Sequence, residues 1–139
     1  MKARKRISCR GTVTLETALV LSLILLPLTF AAIEYGWLFL KSQQIANAAR
    51  NGARVGIRYG AIIPNDVTAT IDTLMTAAGM DKSKSGYTVS FPTPPSLPYS
   101  KALTVRIVVP RINIDVMNLP LLPKPDTLGA SVTMAKEGP

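Results

Sequence analysis

Glu16 is the carboxylate most out of place in this sequence. It opens the run from Thr17 to Ile33, which holds no charge, and the next charged side chain is Glu34. A carboxylate entering lipid is costly unless it is neutral, hydrated or matched by a cation. Gly11 stands five residues before it, and the stretch ahead of Gly11 is basic: Lys2, Arg4, Lys5, Arg6 and Arg10. The groupings that run most enzymes are missing. There is no histidine, which removes the common general base and the Ser-His and Cys-His nucleophile pairs. The single cysteine, Cys9, excludes a disulfide within one chain and a zinc site of the His/Cys type. No glycine-rich phosphate loop is present. Asp66, Asp72, Asp81, Asp115, Asp126 and Glu137 are scattered without the spacing of metal ligands. The serines and lysines of "DKSKSG" read more simply as a polar turn. The sequence thus points away from an enzyme and implies no cofactor and no metal.

The elements that position Glu16 follow from length and charge. A chain of 139 residues suits one membrane segment and one small domain. The net charge of +8 falls mostly on the first eleven residues; beyond Gly11 there are 11 basic and 8 acidic side chains. The excess is therefore a topology signal that holds the N-terminus in the cytoplasm, and it is compatible with an anionic lipid surface. Residues 17–40 would make a helix of about 36 Å, enough to cross a hydrocarbon core of about 30 Å. Thr17 to Ile33 alone gives about 25 Å, so Glu34 is expected near the far interface, beside the aromatic residues Tyr35, Trp37 and Phe39. There it would reach water or touch a neighbouring helix or subunit. Pro27 removes a bond to the Leu23 carbonyl and is expected to bend the helix. A lipidation motif at "ISCR" fails because the apolar run follows Cys9. An ordinary secretory signal could end at "TFAA", but the helical pattern continues past residue 33.

After Lys41, "SQQIANAARNGARVGIRYGA" predicts that the helix continues to Ala61. Ala48, Gly52, Gly56 and Gly60 form a stripe of small residues for close helix packing, either on the chain's own outer domain or between subunits. Arg50, Arg54 and Arg58 form a second stripe, either solvated or available to an anionic partner such as lipid phosphate or DNA. "NDVTATIDTLMTAAGM" predicts a second helix capped by Asn65 or Asp66, with Val67, Ile71, Leu74 and Met75 on its apolar face and Gly79 near its end. "GYTVSF", "KALTVRIVV" and "TLGASVTMA" predict strands. Leu103, Val105, Ile107 and Val109 share one face of the second, Pro110 closes it, and Gly129 is a candidate bulge in the third. "PTPPSLPYS" predicts a proline-rich loop, and "INIDVMNLPLLPKP" an extended piece followed by a turn-rich connector. The expected fold is α+β. A long N-terminal transmembrane helix continues into a small α/β domain with a three-stranded, mainly antiparallel sheet. The divisions are a leader at 1–11, the helix at 12–61 with its span at about 17–40, and the domain at 62–139.

The basic leader, Gly11, Glu16 and the following apolar run together resemble the class III signal of type IV pilin-like proteins. The stretch from Arg10 to Gly56, with "LE" at Leu15-Glu16, "EYG" at Glu34 to Gly36 and the Ala-rich "QQIANAARNGAR", resembles the TadE-like family, minor pseudopilins of tight-adherence pili. "ASVTMAKEG" is similar to that family's last strand. The resemblance implies cleavage between Gly11 and Thr12 by a membrane aspartic prepilin peptidase on the cytoplasmic side. Glu16 would then be the fifth residue of the mature chain and would pair with the freed amine of Thr12, its own or a neighbour's. It also implies other pilins, an inner-membrane assembly platform and membrane lipid as partners, with the outer domain extracytoplasmic. Two alternatives remain at the level of sequence: a DNA- or surface-binding protein using Arg50, Arg54 and Arg58, and an unprocessed single-span protein with an external scaffold domain.

Overall fold

The computed structural model describes residues 10–58, 61–92, 102–116 and 123–135. Residues 1–9 of the leader with Cys9, Gly60, most of the proline-rich loop, the connector at 117–122 and Glu137 lie outside the described residues. Helix α1 spans Arg10–Ile57 and runs unbroken through Pro27. Its 48 residues correspond to about 72 Å of rise. The helix stops short of the expected Ala61: Arg58 lies in a bend, and the Ala61 N–H donates to the Arg58 carbonyl at 3.2 Å as the chain reverses.

Helix α2 covers Asn65–Ala77 and buries Val67, Ile71 and Met75 at the expected spacing. Its start differs from the expected cap. Pro64 occupies the N-cap position with no side-chain cap bond. The Asp66 carboxylate instead accepts from the Ile62 N–H at 2.8 Å, closing the turn ahead of the helix. An acidic side chain in the first turn also suits the positive end of the helix dipole. "DKSKSG" is a polar turn wound into one helical turn, α3, at Lys82–Ser85. The Asp81 carboxylate accepts from the Ser83 N–H at its start, and Gly86 at φ 60° ends it.

The strands are β1 (Thr88–Ser90), β2 (Ala102–Pro110) and β3 (Thr127–Ala135), in the spatial order β1-β2-β3 and antiparallel at both junctions. Val105, Ile107 and Val109 are buried on one face of β2, and Leu128 lies on the same face of β3 with the half-buried Ala130, Val132 and Met134. Gly129 makes no bulge. It pairs with Val108 in a continuous register, and a Cβ there would come within 2.9 Å of the Ile107 carbonyl oxygen, so the glycine serves a close backbone approach.

The C-terminal part of α1 is the spine of the head. Ile45, Ala48, Ala49 and Ala53 meet Val67, Ile71 and Met75 of α2 and Val105, Ile107 and Val109 of β2 in a single buried cluster. Each large member contributes about 1.5–3 kcal/mol on leaving water. Both α2 and β2 run back along α1 toward its N-terminal half. Val67 and Leu103 lie beside Gly56, while the carbonyls of Ala78 and Ile114 are reached by Lys41 and Trp37.

Candidate functional site

From Thr12 to Ile33 every side chain of α1 is exposed except the half-buried Ala31. This run is about 33 Å long and is apolar enough to cross a membrane. Three of its hydroxyls are turned to the helix's own carbonyls. Thr17 donates to Val13, Ser22 to Ala18 and Thr29 to Leu26, each at 2.8 Å. Such back-bonding lets serine and threonine sit in lipid without an orphan donor. Gly11 and Thr12 lie in the first turns of α1, and Glu16 is exposed one turn further on. Four residues of helix separate Thr12 from Glu16, about 6 Å along the axis and on one face.

At the outer end of this run the head closes around the helix. Glu34 is 0% exposed, and its Oε1 accepts from Lys124 Nζ at 2.8 Å, with both side chains buried. Lys124 Nζ also lies 3.7 Å from Asp115 Oδ2, which in turn pairs with the Arg111 guanidinium. The Tyr35 hydroxyl donates to the Pro123 carbonyl at 2.6 Å, and Trp37 Nε1 donates to the Ile114 carbonyl at 2.9 Å. Lys41 Nζ donates to the Ala78 carbonyl at 2.6 Å, near the C-terminal end of α2, and lies 4.7 Å from the Trp37 ring centroid. Its position suits both the helix dipole and the ring face, while burial holds its pKa below the usual lysine value. The structure thus places Glu34 inside the chain's own head. Tyr35 and the exposed Gly36 sit at the head's lower rim. Sequence reasoning missed Lys124, Asp115 and Arg111. The only signal was a lysine between two prolines in "LPKPD", some ninety residues from its partner.

The two stripes separate cleanly. Ala48, Gly52 and Gly56 are buried. Gly52 faces Ile71 and Val67, and Gly56 faces Leu103 and Val67, all within the same chain. A Cβ at position 56 would stand 2.3 Å from Leu103 Cδ2 and 2.8 Å from Val67 Cγ2. We therefore expect Gly56→Leu to destabilise the head by about 2 kcal/mol through overpacking, despite better helix propensity. Urea unfolding in detergent, followed by near-UV circular dichroism, checks it. Arg50, Arg54 and Arg58 are exposed. Arg54 and Arg58 flank an open groove of about 540 Å³ shared with Asn51, Val55, Thr70, Thr73 and Leu74.

Away from the membrane-length segment, the Tyr87 hydroxyl donates to Asp72 Oδ1 at 2.6 Å. Burial, that hydrogen bond, and the charges of Asp72 and Asp81 raise the tyrosine's pKa well above its usual value of 10.0. The neutral phenol is the form the fold favours, so its stabilisation is complete below the unfolded value. It is lost as pH rises above that value, because the unfolded chain then ionises first. Tyr87→Phe is expected to flatten the fall in melting temperature above about pH 10, which a thermal-melt series across alkaline pH measures.

An exposed helix of membrane length, continuous with a small α+β head that grips it through a polar collar, defines a helix-anchored, single-head protein. Among the described residues no group of three or more His, Cys, Asp or Glu is placed to hold a metal. Residues 11–54 match the family model described as TadE-like protein, the family whose motifs the sequence resembles. The match spans Gly11, Glu16, Glu34 and the stripe as far as Gly52, and it stops in the last turn of α1, so the sheet and α2 lie beyond it. It supports a structural protein associated with the tight-adherence pilus. No curated protein and no solved structure matched the chain.

Proposed function

We propose that this chain is a minor pseudopilin-like structural protein that acts in assembling or priming a tight-adherence pilus. The observation that carries the proposal is the TadE-like match over residues 11–54, coinciding with an exposed apolar helix fronted by Gly11 and Glu16. In this account a prepilin peptidase removes residues 1–11 on the cytoplasmic side of the inner membrane. The new ammonium of Thr12 then offsets the cost of carrying Glu16 at the edge of the lipid. The basic residues ahead of Gly11 hold that end in the cytoplasm before cleavage, which directs the head outward. The span ends near Ile33, because from Glu34 onward the head covers one side of the helix. Its partners are the peptidase, other pilins or pseudopilins and the inner-membrane assembly platform. The experiment is complementation in the protein's own host. Cells lacking it should make no tight-adherence pili, and the wild-type gene should restore them. Normal piliation without it would contradict the assembly role.

A further inference from the structure

The 3₁₀ turn Arg111–Asn113, which follows β2, leaves Ile112 at 73% exposure, and Val116 just beyond it at 53%. Ile114 between them points inward and is buried. Large aliphatic side chains exposed singly are ordinary on a protein surface, but the location of these two is not ordinary. The Ile114 carbonyl accepts from Trp37 Nε1, and the neighbouring Asp115 faces Lys124 and, through it, Glu34. The turn is therefore fastened to α1 at the level of residues 34–37. That level lies within about 6 Å, along the axis, of the last residue of the exposed apolar run. The headgroup layer on each side of a bilayer is about 5–8 Å thick. If the run spans the hydrocarbon core, the turn stands in that layer. The exposed Tyr35 and Trp37 occupy the same level on the helix, where tyrosine and tryptophan favour a membrane boundary.

We propose that Ile112 and Val116 form a second membrane contact: the head sits on the outer headgroup–acyl boundary of the bilayer that α1 crosses. The occupant is lipid because the two exposed aliphatic side chains stand at the level where the apolar helix run ends, on a turn held to α1 by the Trp37–Ile114 hydrogen bond and, through Asp115 and Lys124, by the buried Glu34–Lys124 pair. The head then has two attachments to the membrane plane, a spanning helix and an interfacial turn. Together they fix its tilt and rotation, and so the direction in which the outer sheet face and the arginine stripe are presented. This inference rests on the spanning role proposed above for α1.

The test uses the full chain with Cys9→Ser and single cysteines at Ile112→Cys, Ile62→Cys and Leu25→Cys. Each carries an environment-sensitive fluorophore and is reconstituted into phosphatidylcholine–phosphatidylglycerol vesicles. Ile62 is the control: it is 63% exposed but lies beyond the far end of α1. Lipids with nitroxide quenchers at shallow or deep positions report depth. We expect position 25 to be quenched most by the deep probe. We expect position 112 to be quenched severalfold more than position 62, and most by the shallow probe. Position 112 behaving like position 62, with position 25 quenched, would overturn the interfacial seat and leave the span intact. Equal, strong quenching at 112 and 62 would also overturn it, as adsorption of the whole head. Failure of quenching at position 25 would remove the span and the seat together.

Discussion

Lys124→Ala is expected to destabilise the head by about 3–5 kcal/mol, because it removes the cation beside the fully buried carboxylate of Glu34. The two charges are 2.8 Å apart and both side chains are buried. Asp115 loses a nearby cation at the same time, while Arg111 still pairs with it. Removing one partner of such a pair is far more damaging than its net contribution suggests, since desolvation of the survivor is no longer offset. Replacing both, as Glu34→Leu with Lys124→Met, should recover most of the loss and come close to neutral. Trp37 is the sole tryptophan and bonds the adjacent turn, so its fluorescence during urea unfolding in detergent reports the collar directly. A Lys124→Ala loss under about 1 kcal/mol would mean that the pair contributes no more than a solvent-exposed ion pair and is not what holds the collar.

Glu16→Leu is expected to do the opposite: leave the fold untouched and abolish function. Glu16 is exposed on α1 and lies far along the helix from the head, so its loss should not shift head unfolding. A leucine there inserts into lipid at least as well as a carboxylate, so membrane insertion and cleavage at Gly11 should persist. The loss expected is the match between this carboxylate and an ammonium at Thr12, and with it surface piliation in the complementation assay. Wild-type piliation by Glu16→Leu would reduce Glu16 to a headgroup-level residue without an assembly role.

Much of this architecture was legible because its signals are local. The charge-free run, the spacing of Val67, Ile71 and Met75, and the alternation of Val105, Ile107 and Val109 each follow from a helical or strand period. The three-stranded antiparallel sheet and the long helix were readable for that reason. Other features depend on partners distant in the chain. The small-residue stripe was readable as a packing surface, but that α2 and β2 of the same chain meet Gly52 and Gly56 is a tertiary fact. Glu34 looked like an interfacial carboxylate, because nothing near it in sequence shows that a lysine some ninety residues away will bury it. The start of α2 differs from its sequence expectation because Asn65 and Asp66 are both good caps in isolation, whereas the turn from Ile62 to Pro64 recruits the aspartate for a backbone donor outside the helix. At Gly129 the strand signal was correct. The reason for the glycine was a neighbouring carbonyl, which no single-strand pattern contains.

In the proposed function, α1 becomes a pilin-like helix by losing what precedes Thr12. The most direct measurement is the mature N-terminus, by intact mass and terminal sequencing of protein made with its own secretion machinery, for wild type and for Gly11→Ala. The wild-type chain is expected to begin at Thr12 and the Gly11→Ala chain to stay uncut. A wild-type chain that retains residues 1–11, or one that begins near Ala32, would contradict this processing.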